Sequence, residues 1–224
     1  MTTIAPQAWM VEPGCAAVMA ALSLRGGEDC ARFVGGAVRN ALMGLPVDDV
    51  DIATWLPPDE VVKALKAAGL KAIPTGIDHG TVTAIAERRP YEITTLRRDV
   101  TTDGRNATVA FTDDWTEDAL RRDFRLNALY ADVAGNVFDP TGEGVADTTA
   151  GRVVFVGDPK TRIREDYLRI LRFFRFQAWY GRSKADGAAL AACASLRGDL
   201  GRLSAERVQK ELLKLLAAQT GAGA

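Results

Sequence analysis

The sequence predicts an α+β fold, a small sheet with flanking helices that gives way to an all-helical segment, on three observations. Three runs with strand character, 71–74, 81–86 and 91–96, follow one another at short spacing. Ahead of them, helix-like and strand-like stretches alternate from residue 13 onward. Beyond Pro159 every periodic stretch has helical spacing.

In chain order, residues 13–24 form a first helix and 32–34 a short apolar strand. Gly35-Gly36 supplies a tight turn, and 37–43 a helix whose free backbone N–H groups can receive an anion. Asp49-Val50-Asp51-Ile52 alternates with period two, so it reads as a strand. Pro57-Pro58-Asp59-Glu60 opens the next helix, because proline and acids suit a first turn, and Gly69 closes it. After the three strand runs, 98–114 is rich in Thr, Asp, Gly and Asn and nearly aperiodic, the character of a mobile excursion near a site. A helix capped by Thr116 is expected to run through Tyr130, and a Gly135-Asn136 turn separates two short strands. Residues 152–156 read as the last strand. Helices are expected at 159–180, 184–195 and 204–217, the last capped by Ser204. A domain change near residue 151 divides the chain into 1–150 and 151–224, and Gly221-Ala222-Gly223-Ala224 reads as a frayed or artificial end.

A chain of 224 residues, 47% of them apolar, can bury one substantial core and a smaller second one. No N-terminal segment here combines a basic start with a long apolar run and no stretch approaches membrane-span length, so neither export nor membrane insertion is expected. Cys15, Cys30 and Cys193 lie far apart and His79 is the single histidine, which argues against a disulfide frame or a zinc site and points to the reducing cytoplasm. No heptad or apolar face singles out a self-association surface, so the oligomeric state is open. Residues 1–120 hold 11 Lys and Arg against 17 Asp and Glu, whereas 121–224 hold 17 against 12. The basic excess gathers at Lys160, Arg162, Arg164, Arg169, Arg172, Arg175, Arg182 and Lys184, either a phosphate-facing surface or a solvated helix face.

The chemistry concentrates in Gly35-Gly36-Ala37-Val38-Arg39 and Asp49-Val50-Asp51. Val50 and Ile52 turn to a core while Asp49 and Asp51 share the opposite face, about 6.6 Å apart along an ideal strand. Such a pair suits a divalent metal, and the glycine turn with Arg39 suits a triphosphate, the two halves of a phosphoryl-transfer site on a nucleotide. The plainer reading is that acids after Pro46 decorate a turn. Glu92 is the one downstream acid inside a strand-like run and a candidate third carboxylate, with an ion pair to Arg97 or Arg39 as the alternative. His79, in Gly76-Ile77-Asp78-His79-Gly80, reads as a turn or core residue rather than a base.

Four blocks carry a resemblance. They are 34–39 with Asp49-Val50-Asp51-Ile52-Ala53-Thr54; Glu92-Ile93-Thr94-Thr95-Leu96-Arg97; Arg121-Arg122-Asp123-Phe124 with Asn127-Ala128-Leu129; and Arg164-Glu165-Asp166-Tyr167-Leu168-Arg169-Ile170-Leu171-Arg172. In this order they make the chain resemble the class II tRNA nucleotidyltransferases, the CCA-adding enzymes, which share their catalytic head with bacterial poly(A) polymerases. The resemblance runs from about residue 32 to 216. It implies a polymerase-beta-like head followed by a helical neck, with Mg²⁺ as cofactor, CTP and ATP as nucleotides and the tRNA 3′ end as acceptor.

The resemblance further implies that Gly35, Gly36, Arg39 and Arg122 hold phosphates and that Asp123 accepts the ribose 2′-hydroxyl. A helix ion pair is the alternative for Asp123. Asp166 and Arg169, placed three apart on one helix, would read the base edge of cytosine or adenine, with Glu165 fixing Arg169. The bland alternative for that helix is packing through Leu168, Leu171 and Phe174. Asn127 and Arg172 complete the expected nucleotide-binding set. Asn40 stands where the family usually has an aspartate, so a weaker pairing with Arg39, and with it impaired phosphate binding, is expected. The body and tail domains that grip tRNA are expected to be absent, and RNA affinity correspondingly weak. A poly(A) polymerase and a catalytically weak RNA- or nucleotide-binding fragment are the alternative functions.

Overall fold

A computed structural model describes residues 2–103 and 106–218; Gly104, Arg105 and the Gly-Ala-Gly-Ala end lie outside the described residues. Helix α1 (Ala8–Val11) leads into α2 (Pro13–Gly26), which starts on Pro13, a residue whose missing N–H costs nothing in a first turn. Strand β1 (Ala31–Val34) and helix α3 (Gly36–Met43) follow, then β2 (Asp51–Thr54) and α4 (Pro58–Ala67), the latter with Asp59 and Glu60 in its first turn. Strands β3 (Lys71–Gly76), β4 (Thr81–Ala86) and β5 (Arg89–Thr95) form a meander.

The segment expected to be an excursion is instead an antiparallel hairpin of β6 (Arg97–Asp103) and β7 (Asn106–Phe111). Its pairing starts with Arg97 opposite Phe111, so the backbone ladder orders a stretch that lacks apolar alternation. The helix expected from Thr116 through Tyr130 is α5 (Trp115–Leu120), capped by Asp114, whose carboxylate accepts from Thr116 N at 2.7 Å. It stops early because the chain turns to send Phe124 and Leu126 into a second core, through a single 3₁₀ turn at Arg125–Asn127.

Strands β8 (Tyr130–Ala131) and β9 (Val137–Phe138) flank the Gly135-Asn136 turn as expected. Helix α6 (Gly144–Ala150), which the sequence reading lacks, comes next. Residues 152–156 are not a ladder strand: they bridge once, Phe124 to Phe155, with Val156 N bonding Asp123 O at 3.0 Å. The long helix 159–180 is two, α7 (Pro159–Glu165) and α8 (Leu168–Tyr180), interrupted at Asp166, whose extended backbone ends α7 and whose carboxylate accepts from Leu168 N. Helices α9 (Gly187–Leu196) and α10 (Ala205–Leu216) complete the fold, and the Ser204 side chain makes no capping bond.

The seven-stranded sheet runs β3-β4-β5-β2-β1-β8-β9, with β2 and β5 parallel and the other neighbours antiparallel. Phe33, Ile52, Ile93 and Val82 meet α2 and α4 on one face, in a core with Leu22 and Leu65. The second core is aromatic: Phe124 lies 4.7 Å from Phe155 and 5.1 Å from Phe176, and Phe173 stacks on Phe155 at 5.8 Å between ring centroids. Among the described residues no helix is long and apolar enough to cross a membrane.

Candidate active site

Strand alternation puts Ile52 into the core and leaves Asp51 on the opposite face of β2. Asp51 is the exact register partner of no basic residue: opposite it on the parallel strand β5 stands Glu92. Both carboxylates are exposed, as is Asp49, which lies in the loop just ahead of β2 rather than within the strand. Asp51 keeps contact with solvent, yet enough protein surrounds it that its carboxyl is pushed up to about 6, first by partial desolvation, then by Glu92, with Asp49 adding and Arg122 and Arg39 opposing. Crowded carboxylates at a parallel-strand pair are an oxygen-donor set for a divalent cation, which relieves their mutual repulsion. Among the described residues no three acidic, His or Cys side chains form a ready-made cage, so substrate oxygens and water would complete the coordination. His79 lies exposed in a 3₁₀ turn, and its carbonyl accepts from Arg97 Nη1.

At the end of β1, Gly35 adopts φ 65°, ψ −113°, a conformation that side chains strongly disfavour, and this lets the chain turn straight into α3. A Cβ on Gly35 would lie 3.7 Å from Arg122 Nη1, and one on Gly36 3.7 Å from Arg39 Nη2, so both guanidinium groups sit close under the turn. Arg39 is only 6% exposed. Its Nη1 donates to Asn127 Oδ1 at 2.6 Å, its Nη2 to the Tyr180 hydroxyl at 2.8 Å, and Nε and Nη2 to Asn40 Oδ1 at 3.1 and 2.9 Å. The guanidinium also lies over the Tyr180 ring at 3.9 Å. Arg39 therefore underlies the turn, joined to α8, rather than projecting from it as a free phosphate clamp.

Arg122 is positioned by a residue the sequence reading passed over. Asp118, 1% exposed, accepts from Arg122 Nη2 at 2.8 Å, Arg121 Nη2 at 2.6 Å and the Tyr130 hydroxyl at 2.7 Å. Burial alone would raise its carboxyl, but Arg122, Arg121 and the Tyr130 hydroxyl more than reverse this and hold it well below the usual carboxylate range. The signal was present in the sequence, since Asp118 stands three and four residues before Arg121 and Arg122.

Asp123 ties this region to α8. Its Oδ1 accepts from Phe124 N at 2.8 Å and Asn127 Nδ2 at 3.0 Å, and its Oδ2 from Arg172 Nε at 2.8 Å. Burial opposes its charge, but Arg172 and then the Asn127 amide keep the carboxyl lowered. The ion pair weighed for Asp123 thus exists, though with a distant arginine on α8 rather than a helix neighbour. Arg172 also lies 3.5 Å from Glu211, a buried acid on α10 that accepts from Arg175 at 2.6 Å. Half of the basic cluster is engaged in this way, Arg169 and Arg162 with Glu165, Arg172 with Asp123 and Arg175 with Glu211, while Lys160, Arg164, Arg182 and Lys184 are exposed.

Asp166 and Arg169 do not share a helix face, because the chain breaks between α7 and α8. They nevertheless meet in one cavity of about 270 Å³ lined by Arg121, Arg122, Asp123, Asp166, Arg169 and Arg172, together with Leu168 and Arg207. Asp166 is oriented by Leu168 N at 3.1 Å and Arg207 Nη2 at 2.7 Å. Arg169 is oriented by Glu165 at 2.6 Å, as expected, and by the carbonyls of Arg162 and Arg121. Arg207 and Glu211 had no sequence signal beyond helical spacing on α10, and Tyr180 had none.

Residues 31–154 match the Poly A polymerase head domain family. The chain is 45% identical over 191 residues to mouse (Mus musculus) "CCA tRNA nucleotidyltransferase 1, mitochondrial", covering 83% of this chain and 43% of that protein. It is 39% identical over 188 residues to the CCA-adding enzyme of Enterococcus faecalis, covering 83% of this chain and 45% of the relative. In structure it is similar to the Bacillus stearothermophilus CCA-adding enzyme in complex with CTP, with a TM-score of 0.81 at 32% identity over 95% of this chain and 51% of that one. The chain thus spans about half the length of these relatives. With the glycine turn, the Asp51–Glu92 pair and the Arg122-Asp123 block all inside the matched span, the chain belongs to the Poly A polymerase head domain family.

Proposed function

We propose that this chain is the nucleotide-selecting and catalytic part of a template-independent transferase that adds CMP and AMP, from CTP and ATP, to the 3′ end of tRNA. The observation that carries it is the single cavity in which Arg122, Asp123, Asp166, Arg169 and Arg172 converge, with Arg122 reaching from that cavity to the Gly35 turn. The names of the relatives supply the acceptor: they are CCA-adding enzymes, one of them in complex with CTP. In this reading the head is 1–150 and the neck 151–224, and the free, buried Cys15, Cys30 and Cys193 fit a reducing, cytoplasmic setting.

Asp49 and Asp51, with Glu92 alongside, would hold Mg²⁺. When bound, that ion lowers the pKa of an attacking RNA hydroxyl and neutralises charge on the triphosphate. Gly35 and Gly36 present backbone to the phosphates and Arg122 faces them from below. Asp123, pinned by Asn127 and Arg172, accepts the ribose 2′-hydroxyl and so favours ribonucleotides. Asp166 accepts from the exocyclic amino group shared by cytosine and adenine, while Arg169, held by Glu165, donates to ring acceptors. Uracil and guanine offer Asp166 no amino group at that position.

Incubation with tRNA lacking its 3′ terminus, Mg²⁺ and each nucleotide in turn, followed by sequencing of the products, tests the proposal. Addition of C, then A, is expected. Long adenylate tails would identify a poly(A) polymerase instead, and no addition at any RNA concentration would leave only a binding fragment.

A further inference from the structure

Arg39 is a buried cation with no direct ion pair, linked to the Asp123 carboxylate only through the Asn127 amide. All its hydrogen bonds go to neutral groups, the side chains of Asn40, Asn127 and Tyr180, and among the described residues no carboxylate lies within ion-pair distance. A buried charge of this kind is costly to leave uncompensated. It sits directly beneath Gly36, the first residue of α3. Asn40 occupies the position from which an aspartate would neutralise it, since Asn40 Oδ1 already accepts two of its N–H groups.

The other end of the same amide does something a carboxylate could not. Asn40 Nδ2 donates to the carbonyl of Pro46 at 2.7 Å, in the loop that leads to Asp49. An ionised aspartate has no hydrogen to offer and would face that carbonyl oxygen with like charge.

We propose that Asn40 is a positioning residue that leaves the Arg39 charge available to a polyphosphate on the Gly35-Gly36 turn and ties that arginine to the loop carrying Asp49. This deepens the nucleotide-binding reading above and rests on it for the identity of the ligand. It also reverses the expectation drawn from the sequence: the weaker pairing of Asn40 with Arg39 strengthens anion binding rather than impairing it.

The test is calorimetric titration of the chain, without metal, against inorganic tripolyphosphate and separately against cytidine. Asn40→Asp is expected to weaken tripolyphosphate binding on the order of tenfold at low salt, with the gap closing as salt rises. Its cytidine binding stays within about twofold of the parent, because no charge on that probe feels Arg39. Asn40→Ala, which leaves Arg39 uncompensated, keeps tripolyphosphate within about threefold while losing the Pro46 tie. Equal tripolyphosphate affinity in parent and Asn40→Asp, equal losses for both probes, or no tripolyphosphate binding by the parent would each overturn the proposal. Failure of the transferase reading looks different: the parent would bind tripolyphosphate in an Asn40-dependent way and still add no nucleotide to tRNA.

Discussion

Asp51→Ala is expected to lower nucleotide incorporation by roughly 10³-fold or more and to leave the fold intact. A metal-borne stabilisation of several kcal/mol in the transition state converts to a factor of that size. The fold is spared because Asp51 is exposed, opposes Glu92 across β2 and β5, and contributes nothing to the core on the other face. Its carboxyl is raised to about 6, above its unfolded value, so at neutral pH the ionised group works against folding. The neutral isostere Asp51→Asn should therefore melt slightly higher than the parent at pH 7, with the difference vanishing once pH falls below the unfolded carboxylate value. Extension assays and thermal melts on the same samples separate the two effects. Incorporation at parental rates would remove Asp51 from the reaction, and a lowered Tm would make it structural.

Asp118→Ala is expected to have the largest effect on stability, a loss of about 3–5 kcal/mol, because it strands Arg121, Arg122 and the Tyr130 hydroxyl around an empty site. For a chain of this size that corresponds to a fall in Tm of about 10 °C. Asp118 has a depressed folded pKa, so its contribution is fully present above the unfolded value near 4 and is lost as pH falls toward the folded one. The difference between parent and Asp118→Asn should accordingly shrink below about pH 4. Released from Asp118, Arg122 also loses its place beside Gly35, so nucleotide binding weakens even where the variant remains folded. A melt within about 2 °C of the parent at pH 7 would contradict this role.

The parts of the fold legible in the sequence are those written in local rules. Pro58 with Asp59 and Glu60 marks the start of α4, the Gly135-Asn136 turn its two flanking strands, and alternation in β2 the exposed side of Asp51. Glu92 was legible as an acid in a strand run, but its pairing with Asp51 depends on a parallel ladder that no local pattern encodes. The same limit hid the β6–β7 hairpin, whose order lies in backbone pairing, and the break at Asp166, where an extended backbone and a carboxylate bonded to Leu168 N interrupt the helical periodicity. Arg39 shows the limit for function. Its place near the glycine turn followed from spacing, while its burial under that turn depends on Tyr180, 141 residues away.

Nucleotide choice by the parent and by Asp166→Ala, measured as competition of CTP and ATP against UTP and GTP on one tRNA acceptor, tests most directly whether the shared cavity reads the base. The parent should incorporate C and A and exclude U and G, and Asp166→Ala should lower that discrimination by about 1–3 kcal/mol, roughly 5- to 150-fold, with the metal requirement unchanged. An unchanged ratio in a folded Asp166→Ala protein would show that the cavity between Asp123 and Arg207 is not where the base is read.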